Sequence, residues 1–365
     1  MVTPHLPPYQ AANALLPHVL GSELEARGDE VSFLTFEAGG PARPHTSYVK
    51  RRTGPRFTRI PQLLEAIETR RRARPLVRAA DVIHIHSNTW MNQVAAGVAR
   101  RIQKPYVLTH YGTEIWHHDG KNQAFRTLNR HARHVTFYSA ALLARARELN
   151  VPLGQASVVY PAVDRMFAPL PEDQRHAVRA ALVDGNEALL FNVKRLHPLA
   201  DHATLLRAFA LLDPFPTPAR LVIAGSGEER DALRGLAADL GISNRVRFLG
   251  LVPNHEVARL HAAADLFVLS SRLEATPTVV LEALACGTRA VSTDNPGGVE
   301  LGEIFGDDLR LVPREDPEAL RDGIRASLRE NRRTSEGTTR LIEERFSLRG
   351  LVDRYRRIYE ESLTP

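Results

Sequence analysis

Arg272-Leu273-Glu274-Ala275-Thr276-Pro277-Thr278-Val279-Val280-Leu281-Glu282-Ala283-Leu284-Ala285-Cys286-Gly287, running on through Asp294 to Gly297-Gly298 and Glu300, decides how this chain is read. Glu274 and Glu282 stand eight positions apart, one before a short helix and one inside it. Ala, Leu and Glu favour helix from Thr278, and Gly287 supplies a stop. Pro277 sits where a helix tolerates proline, at or just before the first turn. The N–H groups of Thr278, Val279 and Val280 are then orphan donors aimed at whatever lies in front, an arrangement ready for an anion. Glu282 falls a full turn deeper, within reach of neutral hydroxyls beyond that anion. The segment offers a phosphate seat flanked by two carboxylates able to accept sugar hydroxyls. The bland alternative is a solvated amphipathic helix with two acids. Acids at this spacing are common, so the weight rests on the whole string.

Taken whole, the string resembles the E-x7-E signature of retaining glycosyltransferases of family GT4, which have the GT-B fold. That fold is α/β: two Rossmann-like domains with parallel sheets facing across a cleft. The resemblance implies that Glu274 contacts the donor sugar and Glu282 holds the ribose of a nucleotide. The Gly297-Gly298 turn also matches, and Thr276 lies between the two carboxylates on the donor side. The resemblance runs from Pro4 to the end of the chain, and the second half carries the more specific motifs.

Length and composition agree with that architecture. The 365 residues suffice for two separate cores, and 43% hydrophobic with 25% charged residues is ordinary for a globular protein. Cys286 stands alone, so no internal disulfide can form and a reducing cytoplasm fits. It sits at a helix end, where packing is its expected role. No apolar run approaches the ~20 residues of a membrane span, and no signal peptide opens the chain, so a cytoplasmic protein is expected. The net charge is +6, and lysine occurs only at Lys50, Lys104, Lys121 and Lys194, so the positive charge is nearly all arginine. Its densest run goes from Lys50 through Arg70-Arg71-Arg72 to Arg74, with Leu63, Leu64 and Ile67 on one helix face. Such a helix could lie on an anionic membrane surface; a solvated face is the competing reading. No nucleic-acid motif is present, neither zinc spacing nor helix-turn-helix nor aromatic-basic interleaving. Nothing in the sequence bears on oligomeric state.

Short apolar runs alternate with amphipathic stretches, the pattern of parallel α/β sheets. Strands are expected at Glu30–Phe36, Val82–His86, Tyr106–Thr109, His134–Tyr138 and Ser157–Tyr160 in the first half. In the second half they are expected at Ala188–Val193, Arg220–Ala224, Val246–Leu249, Leu266–Leu269 and Arg289–Ser292. Helices are expected at Leu15–Arg27 and from Ala203, Glu228, His255, Thr278, Pro317 and Ser347. Tyr160-Pro161-Ala162-Val163-Asp164-Arg165-Met166-Phe167 resembles the GT4 interdomain link. The expected domains are therefore 1–166 with the returning helix 346–365 on the acceptor side, and 167–345 on the donor side. GT4 chains open with a full buried strand, whereas only Met1-Val2-Thr3 precede Pro4 here. A trimmed start or a late start codon would account for that.

Further segments extend the resemblance, with departures. Where GT4 reads G-R-L-x-x-x-K-G, this chain has Lys194-Arg195-Leu196, and Ala200 stands at the lysine position. Arg195 matches the arginine that neutralises the donor diphosphate, and Lys194 could supply the missing charge; cations are needed where two phosphates share a dry cleft. Gly225-Ser226-Gly227 after a strand lets backbone approach a nucleotide, but the third glycine of a dinucleotide fingerprint is absent, which disfavours a dehydrogenase. Phe248-Leu249-Gly250 resembles the turn whose backbone borders the nucleobase. In the first half His110, one residue before the strict alignment position held by Tyr111, is the candidate catalytic histidine reaching the donor sugar. His86, Asn88 and Tyr111 are candidates for the acceptor side, as are Gln10 and Asn13, whose amides replace the two glycines usual in the first loop. Those amides suit a polar small-molecule acceptor. His117-His118-Asp119 makes a poor metal set, so no metal and no cofactor is expected. The expected partners are a nucleotide diphosphate sugar and that acceptor, UDP- or GDP-linked donors being the candidates. A GT-B epimerase and an inactive sugar-nucleotide binding module, which would explain Ala200, are the competing classes.

Overall fold

The computed structural model describes residues 1–7, 9, 12–36, 43–51, 60–212 and 218–364. The chain divides into two units, 1–161 with 349–365, and 162–348. The link residues 162–166 belong with the second unit because Val163 N–H donates to Phe346 O at 2.8 Å and pairs with Ser347 in a parallel bridge.

In the first unit, strands β1 (Phe33–Phe36), β2 (Thr46–Val49), β3 (Ile83–His86), β4 (Tyr106–His110), β5 (His134–Phe137) and β6 (Gln155–Val158) are all parallel. Val2 bridges Leu34 of β1 and Ile85 of β3, so the opening residues supply the connection between the two ladders. Four backbone hydrogen bonds of 2.8–3.0 Å tie residues 1–3 to β1 and β3, including Val2 N–H to His84 O and His86 N–H to Val2 O. The short opening strand is therefore in register. β3, β4 and β5 are buried along their whole length, as parallel strands covered on both faces must be.

The C-terminal helix Leu348–Leu363 packs on this unit through tyrosines. Tyr359 OH lies 2.7 Å from His84 Nδ1, and Tyr355 OH lies 3.2 Å from Thr109 Oγ1 and 3.3 Å from Thr136 Oγ1. Burial pushes His84 well below the ordinary histidine range, so the ring is neutral and can share protons with hydroxyls on both sides.

The second unit is one six-stranded parallel sheet ordered β12-β11-β10-β7-β8-β9. Its strands are β7 (Ala188–Val193), β8 (Ala219–Ala224), β9 (Val246–Gly250), β10 (Leu266–Leu269), β11 (Ala290–Thr293) and β12 (Leu309–Val312). Renumbered within the unit this is the doubly wound 3-2-1-4-5-6 order, whose switch point lies between β7 and β10. Leu190, Leu205, Phe209, Leu221, Ile223, Leu266 and Ile324 fill one face of the sheet. β2 and β12 are absent from the sequence expectation, being short edge strands with half-exposed positions. β9 covers the strand expected at Val246–Leu249, and Gly250, at φ +74°, leads into the turn of the Phe248-Leu249-Gly250 segment.

Tyr359→Phe is expected to lower stability by about 1–2 kcal/mol, because His84 Nδ1 would be left buried without its partner. Thermal unfolding followed by near-UV circular dichroism checks this; an unchanged midpoint would mean that the helix is not held by this bond.

Candidate functional site

Loops following β7 and β10, the two strands at the switch point, meet in the second unit. Lys194 follows β7, and its Nζ lies 2.6 Å from Glu274 Oε1 on the loop after β10. Two glycine contacts hold the Lys194 loop. A Cβ on Gly225 would come within 2.0 Å of Lys194 O, and one on Gly227 within 2.1 Å of Leu196 O. Gly225 also sits at φ +134°. Both glycines allow this close approach of one backbone segment to another. Glu274 is held in turn by Gly297, whose N–H donates to Glu274 O at 3.1 Å and whose missing Cβ would strike Ala275 O at 2.5 Å.

The helix Thr278–Ala285 starts and stops as its residues dictate, with Pro277 at the N-cap and Gly287 at φ +78° just past its end. The N–H groups of Thr278 and Val279 meet no acceptor among the described residues. The third expected donor is not free: Val280 N–H bonds Pro277 O at 3.0 Å. Thr276, at the entry to the helix, is buried. One turn in, Glu282 keeps about a fifth of its side chain exposed. Burial of the rest pushes its carboxyl up to about 7; Lys194 pulls it down and Asp164 pushes it further up.

Arg195 is largely exposed, 3.4 Å from Glu228 Oε2, a pair that solvent screens. Ala200 is buried in a 3-10 turn, its carbonyl accepting from Ser270 Oγ at 2.9 Å, so no cation stands at that position. Leu249 is half-buried on β9, while the neighbouring Leu251 is the most exposed large apolar side chain among the described residues, at 81%. Cys286 is buried with its thiol pushed up to about 12, first by burial, which fits packing.

The first-unit candidates part company. His110 turns into the core: its ring is fully buried between Phe125 and Phe137, and Nε2 bonds Asn129 Oδ1 at 2.9 Å. This corrects the expectation that it faces a sugar: His110 is the last residue of β4, which is buried along its whole length. Tyr111 is half-buried and its hydroxyl lies 2.7 Å from His86 Nδ1. His86 is fully buried, and burial holds it neutral with the neighbouring His84 adding to the effect. Asn88 accepts from Gln93 Nε2 at 2.8 Å. Asn13 is half-buried with its Oδ1 unpaired among the described residues. Gln10 lies outside the described residues. His118 stacks on Phe125 at 3.9 Å, and no group of three metal-ligating side chains occurs among the described residues.

The basic run forms an exposed face. Leu63, Ile67, Arg71, Arg74 and Arg78 follow one another at helical spacing on Ile60–Ala79, all exposed, beside Leu64 and Arg70. The adjacent helix Trp90–Arg101 adds exposed Trp90, Arg100 and Arg101. None of these arginines pairs with a carboxylate among the described residues. No described helix is long and apolar enough to cross a membrane.

Two units built on parallel sheets are the mark of the GT-B class, and solved structures of that class match 98% of the chain. HepE of Anabaena, solved with UDP, gives a TM-score of 0.81 at 19% identity, covering 98% of this chain and 99% of that one. Sucrose-phosphate synthase of Thermosynechococcus elongatus gives 0.77 at 19% identity, covering 98% and 95%. Residues 18–166 match the Glycosyltransferase Family 4 model, and residues 173–344 match that of Glycosyl transferases group 1. The chain belongs to glycosyltransferase family 4. D-inositol 3-phosphate glycosyltransferase of Frankia alni is 36% identical over 274 residues, which are 67% of this chain and 65% of that enzyme. N-acetyl-alpha-D-glucosaminyl L-malate synthase of Bacillus anthracis is 25% identical over 359 residues, 94% of this chain and 92% of that enzyme.

Because the folded state holds Glu282 protonated to higher pH than the unfolded chain does, stability falls as pH rises from about 4.5 to about 7. Glu282→Gln is therefore expected to stabilise the protein at pH 8, by on the order of 3 kcal/mol at most, and to change little at pH 4. Denaturation midpoints at the two pH values check this; equal effects at both would contradict it.

Proposed function

We propose that the chain is a retaining glycosyltransferase moving a sugar from a UDP- or GDP-linked donor, held by the second unit, to a polar small-molecule acceptor in specialised metabolism. The observation that carries this is the grouping of Lys194, Glu274 and Glu282 around the open N-terminus of Thr278–Ala285. A diphosphate would receive the Thr278 and Val279 N–H groups, with Lys194 and Arg195 as counter-charges. Lys194 is shared: a diphosphate drawing its ammonium away from Glu274 frees that carboxylate to accept donor-sugar hydroxyls. Glu282 would accept from the ribose, with Leu249 and the Gly250 turn beside the base. The donor's C1–O bond to phosphate breaks as the acceptor oxygen bonds C1 from the same face, its proton passing to the departing phosphate oxygen. Charge growing on that diphosphate is what the helix N-terminus and the two cations stabilise.

Amides at Gln10 and Asn13, with Asn88 and Tyr111, support a polar acceptor on the first unit. The relatives' own names, which specify inositol 3-phosphate and malate, point the same way. Thermal-shift titration with UDP, GDP, dTDP and ADP is expected to give a base-selective rise that Glu282→Ala and Arg195→Ala each remove. The selected nucleotide's sugar conjugates, offered with myo-inositol 3-phosphate or malate, should then yield a glycoside. No shift with any nucleotide would sink the transferase reading.

A second reading has its own observation: Leu63, Leu64, Ile67 and Trp90 are 42–57% exposed beside the unpaired arginines. Apolar side chains among guanidinium groups suit an anionic lipid surface and a lipid or cell-envelope acceptor. On this reading the protein co-sediments with phosphatidylglycerol vesicles but not with phosphatidylcholine ones, and Arg71→Glu with Arg74→Glu releases it. Absence of binding to either vesicle leaves the soluble-acceptor reading standing alone.

A further inference from the structure

The helix Asn254–Ala263 carries a histidine that neither the fold nor the proposed chemistry uses. His261 is fully buried, caged by Phe191, Phe267 and Phe167 with ring-centroid separations of 5.0, 4.9 and 6.2 Å. Both ring nitrogens lack a hydrogen-bond partner among the described residues. A buried polar ring with no partner is costly and calls for an explanation. Nε2 lies 3.9 Å from Glu282 Oε2. The Glu282 carboxyl likewise has no hydrogen-bond partner among the described residues. Two unsatisfied groups thus face each other about 1 Å beyond bonding distance. The imidazole is enclosed by three aromatic rings, whereas Glu282 is partly exposed.

Charge favours closure in one sense only. Burial holds His261 at about 3, so it is neutral and carries one ring proton. The charged groups acting on Glu282 are Lys194 from the loop after β7 and Asp164 from the link, while the Cys286 thiol just past its helix is un-ionised. Of these only Lys194 favours the carboxylate, and it is bonded to Glu274.

We infer that His261 is a positioning residue of the donor site: its Nε2–H donates to one oxygen of Glu282 when a nucleotide binds, turning the other oxygen toward the ribose hydroxyls. This rests on the donor reading above. A donor behind the carboxylate both fixes its rotamer and favours its charged, accepting form.

The test compares UDP and GDP with their 2′,3′-dideoxy counterparts by calorimetry, on wild type, His261→Phe and His261→Gln. Phenylalanine fills the cage without a donor, and glutamine restores an N–H. The expected result is a loss of about tenfold in affinity for the preferred nucleotide in His261→Phe, no change for its dideoxy form, and partial recovery in His261→Gln. Should His261→Phe fail to fold, the ¹⁵N spectrum of the wild-type imidazole decides: Nε2–H must appear and shift downfield when UDP or GDP is added. Equal losses for ribose and dideoxyribose ligands, or none, overturn the inference while leaving the donor site in place. Failure of wild type to bind any nucleotide removes the donor reading and this inference together.

Discussion

The ion pair between Lys194 and Glu274 ties together the loops leaving β7 and β10, and the arrangement of the second unit's site depends on it. A doubly wound sheet opens a crevice where its strand order reverses, but the crevice itself has no chemistry. Chemistry enters because each loop is clamped from outside: the Lys194 loop against Gly225 and Gly227, the Glu274 loop against Gly297. With both backbones fixed, the 2.6 Å contact follows with little side-chain freedom left to lose. Removing either partner would leave the other half-buried and uncompensated, which costs more than the pair itself contributes.

That clamp gives the glycines a meaning different from the usual one. A glycine in a strand–loop–helix turn is ordinarily read as clearance for a ligand. Here the clearance at Gly225 and Gly227 is taken up by the carbonyls of Lys194 and Leu196. The effect of these glycines is to let the loop that carries Lys194 come close.

The helix Thr278–Ala285 and the parallel strands could be read from sequence because each follows from local chemistry: a proline before the helix and a glycine after it, and short buried apolar runs. Side-chain direction at strand ends was less legible. His110 closes β4 and is fully buried, while Tyr111, the first residue beyond it, is half-buried; where a strand ends decides this, and the apolar pattern does not mark that point sharply. His261 was invisible for a different reason. It occupies a core position in an alanine-rich helix and meets Glu282 only through the packing of that helix on its neighbour, which no spacing within either helix encodes. The link residues and the edge strands β2 and β12 likewise depend on pairing with distant segments.

The two units treat charge in opposite ways. Beneath the first sheet, His84, Thr109, Thr136, Tyr355 and Tyr359 share hydrogen bonds with no formal charge among them, which suits a region that holds a helix in place. At the second sheet's switch point the Lys194 ammonium pairs with Glu274 and pulls the Glu282 carboxyl down against the effect of burial. Lys194 alone cannot satisfy Glu274, Glu282 and an incoming anion at once; on the proposed donor reading the exposed Arg195 shares the anion. An anion that takes Lys194 leaves both carboxylates seeking donors, and neutral hydroxyls are the groups that can supply them without adding charge to a half-buried pocket.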